Sequence, residues 1–174
     1  ALCKQRNIIF HTDATQAFGK LPIDVEAMGI DLLSLSAHKI YGPKGVGALY
    51  VRRKKPRVRL QPLIHGGGHE RGMRSGTLNV PGIVGCGAAA EIAVNDMATD
   101  SVRITWLRDR LWAGLSEHLT EISRNGNPQH CLPNTLNVSF PGVDGEQLLA
   151  AVPEVAASTG SACHAGRTQP SSVL

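Results

Sequence analysis

At 174 residues, with 42% hydrophobic and 18% charged content, the chain can bury a core and is too apolar to be disordered. No apolar run reaches the roughly 20 residues that span a bilayer, which excludes a membrane-crossing reading. The four cysteines, Cys3, Cys86, Cys131 and Cys163, stand far apart with no Cys-x-x-Cys pair. That spacing argues against a zinc cluster or a disulfide framework and for a reducing, cytoplasmic setting.

The first residues, Ala1 to Asn7, read as the tail of a helix feeding a strand. They show no signal-peptide pattern and no initiator methionine, so the expectation is an internal piece of a longer chain whose targeting information lies elsewhere. Asn7-Ile-Ile-Phe-His-Thr-Asp13 is an apolar run closing on a carboxylate, as a buried parallel strand does. A short helix is expected over 14–19. A second, over 25–28, would be capped by Asp24 and ended by Gly29. Ile30 to Ser36 is the next strand and Ala48 to Arg52 another, which together predict an α/β layer architecture. In such sheets ligands collect at the carboxyl ends of strands, where Asp13 and Lys39 fall.

The net charge of +4 comes largely from Arg52-Arg-Lys-Lys-Pro-Arg-Val-Arg59. No aromatic residues interleave there to stack bases, so nucleic-acid binding is disfavoured. The run reads as an exposed hairpin rim or a docking face for an acidic partner. Gly66 to Thr77 is a long glycine-rich loop of functional character. Val84 to Met97 is expected to be a helix, small on one side at Gly85, Gly87, Ala88, Ala89 and Ala90. A second helix is expected from about Ser101 to Ser123, with Leu107, Leu111, Leu115 and Leu119 as its core face. Residues 124–133 read as a polar loop and 134–140 as a strand with one wet face. A helix over 145–152 capped by Asp144 and a strand over 155–158 complete the pattern. The looser alternation after residue 97 predicts two parts, 1–97 and 98–174.

The chemistry concentrates at Asp31 to Gly47, an apolar strand that ends in a glycine-rich turn carrying Ser36, His38 and Lys39. Apolar surroundings disfavour an ammonium and favour the free amine that attacks carbonyls. Ser36 and His38 alternate onto one side and can donate to an anion. An amine beside an anion cradle suits an aldehyde cofactor with a phosphate tail, pyridoxal phosphate. A nucleotide loop at Gly42-Pro-Lys-Gly-Val-Gly47 is the weaker reading, because it lacks the Gly-x-x-x-x-Gly-Lys-Ser/Thr spacing and a strand follows it. Asp13 and Gln16, three apart, can face one ligand, the carboxylate at a pyridine nitrogen and the amide at the ring hydroxyl. Taken alone, Asp13 reads as readily as a helix N-cap. Cys163 sits in a loop of small residues (157–166) able to carry a thiolate inward, while Cys3, Cys86 and Cys131 read as inert. His65 and His69 have no third ligand at metal-binding spacing.

His11-Thr-Asp-Ala-Thr-Gln16, Ser36-Ala-His-Lys-Ile-Tyr-Gly-Pro-Lys-Gly45, Gly66-Gly-Gly-His-Glu-Arg-Gly-Met-Arg-Ser-Gly-Thr77 and Ser158-Thr-Gly-Ser-Ala-Cys163 together resemble the cysteine desulfurases. These are pyridoxal-phosphate enzymes of the class-V aminotransferase group. Selenocysteine lyases and other class-V aminotransferases are the alternatives. The resemblance implies a fold-type-I pyridoxal-phosphate transferase, represented by the second half of its large domain and the start of its small C-terminal domain. It implies Lys39 as the Schiff-base lysine, Asp13 at the pyridine nitrogen, Gln16 at the ring hydroxyl, and Ser36 and His38 at the phosphate. Thr77 would be a phosphate ligand lent to the other subunit of a homodimer. Cys163 would take sulfur from L-cysteine as a persulfide, releasing alanine, and pass it to a sulfur-acceptor or cluster-scaffold protein. Cys163 would also be the metal ligand of a transient iron–sulfur cluster shared with that scaffold. The family's ring-stacking histidine and a phosphate-binding threonine are expected before Ala1, and its carboxylate-binding arginine after Leu174, so this piece alone is expected to be inactive.

Overall fold

The computed structural model describes residues 2–160. Two compact units divide the chain, the first spanning 1–102 and the second beginning at Arg103.

In the first unit, helix α1 (Leu2–Gln5) leads to β1 (His11–Asp13), which pairs in parallel with β2 (Leu32–Ser36); β2 in turn pairs antiparallel with β3 (Gly47–Val51). The sheet order is β1-β2-β3. Asp13 lies opposite Ser34, and Ser34 opposite Leu49. Period-two alternation therefore places His11, Asp13, Ser34 and Ser36 on one face and Leu33, Leu35 and Tyr50 on the other. The second face is the core: Ala14, Ile30 and Leu33 are buried, with Ile23, Val25, Leu35 and Tyr50 packed against them.

The first strand is shorter than its apolar run. Asn7 has φ 53°, and the ladder starts only where the Phe10 N–H meets the Asp31 carboxylate at 3.0 Å. Residues 15–20 form turns closed on the Ala14 and Ala17 carbonyls rather than the expected helix. Around 25–29 a turn also replaces the helix, yet Asp24 caps it as expected, accepting from the Glu26 and Ala27 N–H groups.

The two helices expected over 84–97 and 101–123 are one, α2 (Val80–His118). Ala98-Thr99-Asp100 contains neither glycine nor proline, so nothing breaks the backbone ladder there. Within the first unit its small residues form a seam with a four-residue period. A Cβ on Gly85 would stand 2.6 Å from Pro43. The Ala89 methyl would lie 3.1 Å from a Cβ on Gly42, and the Ala93 methyl 3.0 Å from one on Gly19. Gly87, expected in that stripe, faces open space.

In the second unit β4 (Ser123–Arg124) pairs antiparallel with β5 (Val138–Ser139), so the expected strand over 134–140 shrinks to two residues. Helix α3 (Gly145–Ala151) carries the expected Asp144 cap, which accepts from the Gln147 N–H at 2.9 Å. Residues 155–158 are not a strand. The leucine stripe expected as core is open, with Leu107 44% and Leu111 56% exposed. Two two-residue strands and a seven-residue helix offer too little apolar surface to cover it. Arg108 and Arg124 instead tie this unit together through Asp109, the Cys131 sulfur and the Leu132 carbonyl.

Candidate active site

Strand β2 ends at Ser36 and passes directly into a 3-10 turn, Ala37–Ile40. Ala37 and Ile40 of that turn are buried, which leaves His38 exposed and Lys39 partly so. Tyr41 closes the turn in the left-handed region, φ 64°, with its N–H on the Ala37 carbonyl. Gly42 follows because a Cβ there would press at 3.0 Å on both the Ala37 methyl and the Ala37 carbonyl oxygen. Lys39 is thus held on a tight turn backed by the α2 seam, at the carboxyl edge of β2.

The same edge carries Asp13, the last residue of the parallel neighbour β1. Its carboxylate accepts the Thr15 N–H at 2.9 Å. The Thr15 hydroxyl, that N–H and the nearby His11 hold it below the usual carboxylate range. Gln16 follows on the turn, exposed. The Ser36 hydroxyl and the His38 ring Nδ1 lie 2.7 Å apart, a hydroxyl and an imidazole side by side with capacity for an anion. His11 sits behind, its Nε2 3.3 Å from the Ser34 hydroxyl. The structure therefore brings Asp13, Gln16, Ser36, His38 and Lys39 to one edge. Thr77 is elsewhere in sequence, exposed three residues before α2. Cys163 lies outside the described residues.

One residue at this edge was not singled out from the sequence. The Lys20 amine donates to the Gln16 carbonyl at 2.9 Å, and burial, followed by the Lys39 charge, pushes it below the ordinary lysine range. Its signal was a second amine one helical turn after Gln16.

The basic run departs from its expected form. Arg52 is only 5% exposed, and Val58 is also buried. The Arg52 guanidinium pairs with Glu26 at 2.6 Å and Asp31 at 3.0 Å, and donates to the Val25 and Ile30 carbonyls. Arg53, Arg57, Arg59 and Arg71 instead line an open cleft of about 900 Å³ together with Glu70 and the apolar Leu49, Val51 and Met73. The glycine-rich loop beside it is sewn on buried Ser75, whose hydroxyl accepts the Gly68 N–H. No group of three or more potential metal ligands occurs among the described residues, and no helix there is long and apolar enough to cross a membrane.

A family model described as aminotransferase class-V matches residues 1–173. Cysteine desulfurase IscS of Anaeromyxobacter dehalogenans is 57% identical over 173 residues, covering 99% of this chain and 43% of that protein. The X-ray structure of a NifS-like protein from Rickettsia africae superposes with a TM-score of 0.84 at 31% identity, over 92% of this chain and 44% of that one. A structure described as SspA in complex with cysteine gives 0.67 at 41% identity, over 94% of this chain and 44% of that one. The chain thus spans less than half the length of the proteins it matches, and over that span it has the α/β fold expected from its sequence. It belongs to the class-V aminotransferase family, whose cofactor is pyridoxal phosphate.

Proposed function

We propose that the protein is a cysteine desulfurase: L-cysteine and an enzyme thiol give alanine and an enzyme persulfide, with no outside oxidant. The observation that carries this reading is the shared edge: the turn bearing Lys39 and the Ser36–His38 pair lie at the carboxyl end of β2, and Asp13 ends its parallel neighbour β1. That donor set fits pyridoxal phosphate, which when bound withdraws electrons from the substrate's α-carbon. Lys39 would hold the aldehyde carbon and would move the proton at the substrate's α-carbon. Ser36 and His38 hold the phosphate. Asp13, kept ionised by Thr15, holds the proton of the pyridine nitrogen, and Gln16 orients the ring hydroxyl. The Cys163 thiolate would form a bond to the substrate sulfur as the carbon–sulfur bond breaks, its electron pair staying with the substrate carbon, which takes up a proton to become the methyl of alanine. The similarity to proteins described as cysteine desulfurases, and a neighbour described in complex with cysteine, support this substrate.

Thr77, exposed ahead of α2, is assigned to the phosphate of a second copy in a homodimer. The persulfide passes to a sulfur-acceptor or cluster-scaffold protein, with Cys163 ligating a transient iron–sulfur cluster there. The arginine-lined cleft supports an acidic docking partner.

The test uses the full-length protein. Lys39→Ala should abolish capture of pyridoxal phosphate by borohydride reduction; capture that persists removes Lys39 from its role. Cys163→Ala should retain capture and lose sulfide release from cysteine. A mutant that still yields alanine and sulfide, or a keto-acid product, points instead to a selenocysteine lyase or an aminotransferase.

A further inference from the structure

Strand β2 reads Leu32-Leu33-Ser34-Leu35-Ser36, so two hydroxyls interrupt a run of leucines. Ser36 meets the His38 ring and belongs to the site already described. Ser34 stands two residues earlier on the same face, half-buried, and nothing in the strand itself requires a hydroxyl there. Its surroundings do. In the β1–β2 ladder Ser34 is the register partner of Asp13, which puts the two side chains on one face of neighbouring strands about 5 Å apart. The Ala14 N–H donates to the Ser34 carbonyl at 2.9 Å, so the ladder is closed at that pair. On its other side the Ser34 hydroxyl lies 3.3 Å from the His11 Nε2.

We propose that Ser34 is a positioning residue for Asp13, itself oriented by His11. The proposal rests on Asp13 being the carboxylate at the pyridine nitrogen. A hydroxyl has one proton to give and two lone pairs to accept with. When the His11 Nε2–H donates to the Ser34 oxygen, the hydroxyl proton is turned across the ladder to the Asp13 carboxylate. The Thr15 N–H already holds one oxygen of that carboxylate at 2.9 Å. Asp13 is exposed and is the last residue of its strand, so a single donor from two residues away leaves the carboxylate free to turn. A second donor, rooted in the neighbouring strand, fixes its direction and favours its charged form. Lone pairs remain for the pyridine N–H. Support of this kind, one step behind the group that touches the ligand, is what holds a site to its working geometry.

The experiment strips the full-length protein of cofactor and refills it with pyridoxal phosphate isotope-labelled at the ring nitrogen. It reads the dissociation constant and the nitrogen's NMR shift, which reports protonation at that atom. Ser34→Ala should weaken binding by about three- to tenfold and move the nitrogen signal toward its unprotonated position. Ser34→Thr, which keeps the hydroxyl, should restore both. His11→Phe should move both in the same direction as Ser34→Ala, whereas His11→Gln, whose amide keeps a donor at the end of the side chain, should not. In an Asp13→Ala background Ser34→Ala should have no further effect. Wild-type affinity and signal in Ser34→Ala, or in His11→Phe, overturn the proposal. So does a failed rescue by threonine, or a loss in the Asp13→Ala background as large as in the wild type, since either would make Ser34 a residue of the sheet only. An Asp13→Ala variant that binds and protonates the cofactor normally would instead sink the assignment of Asp13, and the role of Ser34 with it.

Discussion

Strand β2 carries charge at both ends, and the two ends treat it in opposite ways. At the amino end Asp31 is 8% exposed and its carboxylate is consumed by the Arg52 guanidinium and the Phe10 N–H. Glu26 and two backbone carbonyls complete the Arg52 fork. At the carboxyl end Lys39, His38 and Asp13 stand at an open edge, where His38 meets the Ser36 hydroxyl and Asp13 the Thr15 N–H, close neighbours in sequence. Buried charges that satisfy one another specify a fold, whereas charges left with spare capacity at a strand's carboxyl edge are available to a ligand. The difference teaches which residues hold the sheet in register and which are held by it.

That contrast can be broken by mutation, and the largest effect on stability is expected at the amino end. Arg52→Met would strand the Asp31 carboxylate beside an apolar side chain and should lower Tm by about 5 °C or more. Arg52→Lys should recover only part, because an ammonium cannot fork to Glu26, Asp31 and two carbonyls at once. A fall in Tm no larger than that of a surface change would show the knot to be ornamental. Gly42→Ala comes next. Its methyl would press on Ala37 and Ala89, at an overpacking cost of about 1–3 kcal/mol, and should also reduce cofactor capture because the Lys39 turn is what moves. Unchanged denaturant midpoint and unchanged capture would mean that the seam yields freely. Asp24→Ala removes a cap from two N–H groups and should cost about 1 kcal/mol, read as a shift in the same midpoint without loss of capture.

How much of this was legible follows from where each signal resides. The strands expected over 7–13, 30–36 and 48–52, the Asp24 and Asp144 caps and the placement of Lys39 after an apolar strand are local patterns, and each has its counterpart. Burial of Arg52 is not local. It depends on the Arg52 N–H pairing with the Asp31 carbonyl across the sheet at 2.9 Å, so within a run of like charges nothing marks one residue as inward. The unbroken α2 reads as two helices because small residues (Gly85, Ala89, Ala93) give way to large ones (Leu107, Leu111) along its length, although no breaker separates the two stretches. The leucine stripe shows the converse limit: periodicity identifies an apolar face and is silent on what covers it. The corner at Gly19 and Lys20 is not legible locally either, because it depends on the wedge of Gly19 against Ile40, a contact between turns about twenty residues apart.

The carboxyl end should show the smallest changes in stability. Lys39→Met alters a partly exposed side chain and should move the denaturant midpoint by no more than about 0.5 kcal/mol while abolishing cofactor capture; a large destabilisation would place Lys39 among the structural charges and erase the contrast. Asp13 offers the finer version. Its folded value lies below the ordinary carboxylate value of 3.8, chiefly through Thr15. A depressed carboxyl contributes stability that is present above its unfolded value and lost as pH falls through the folded one. Whatever small stability separates the wild type from Asp13→Ala at neutral pH should therefore shrink as the pH drops below 3.8 and vanish at still lower pH. The fully exposed setting and the local nature of the Thr15 contact keep that difference the least of those considered. A gap that survives strong acid would have to come from something other than the carboxylate, and Asp13 would then be acting through its backbone turn rather than through its charge.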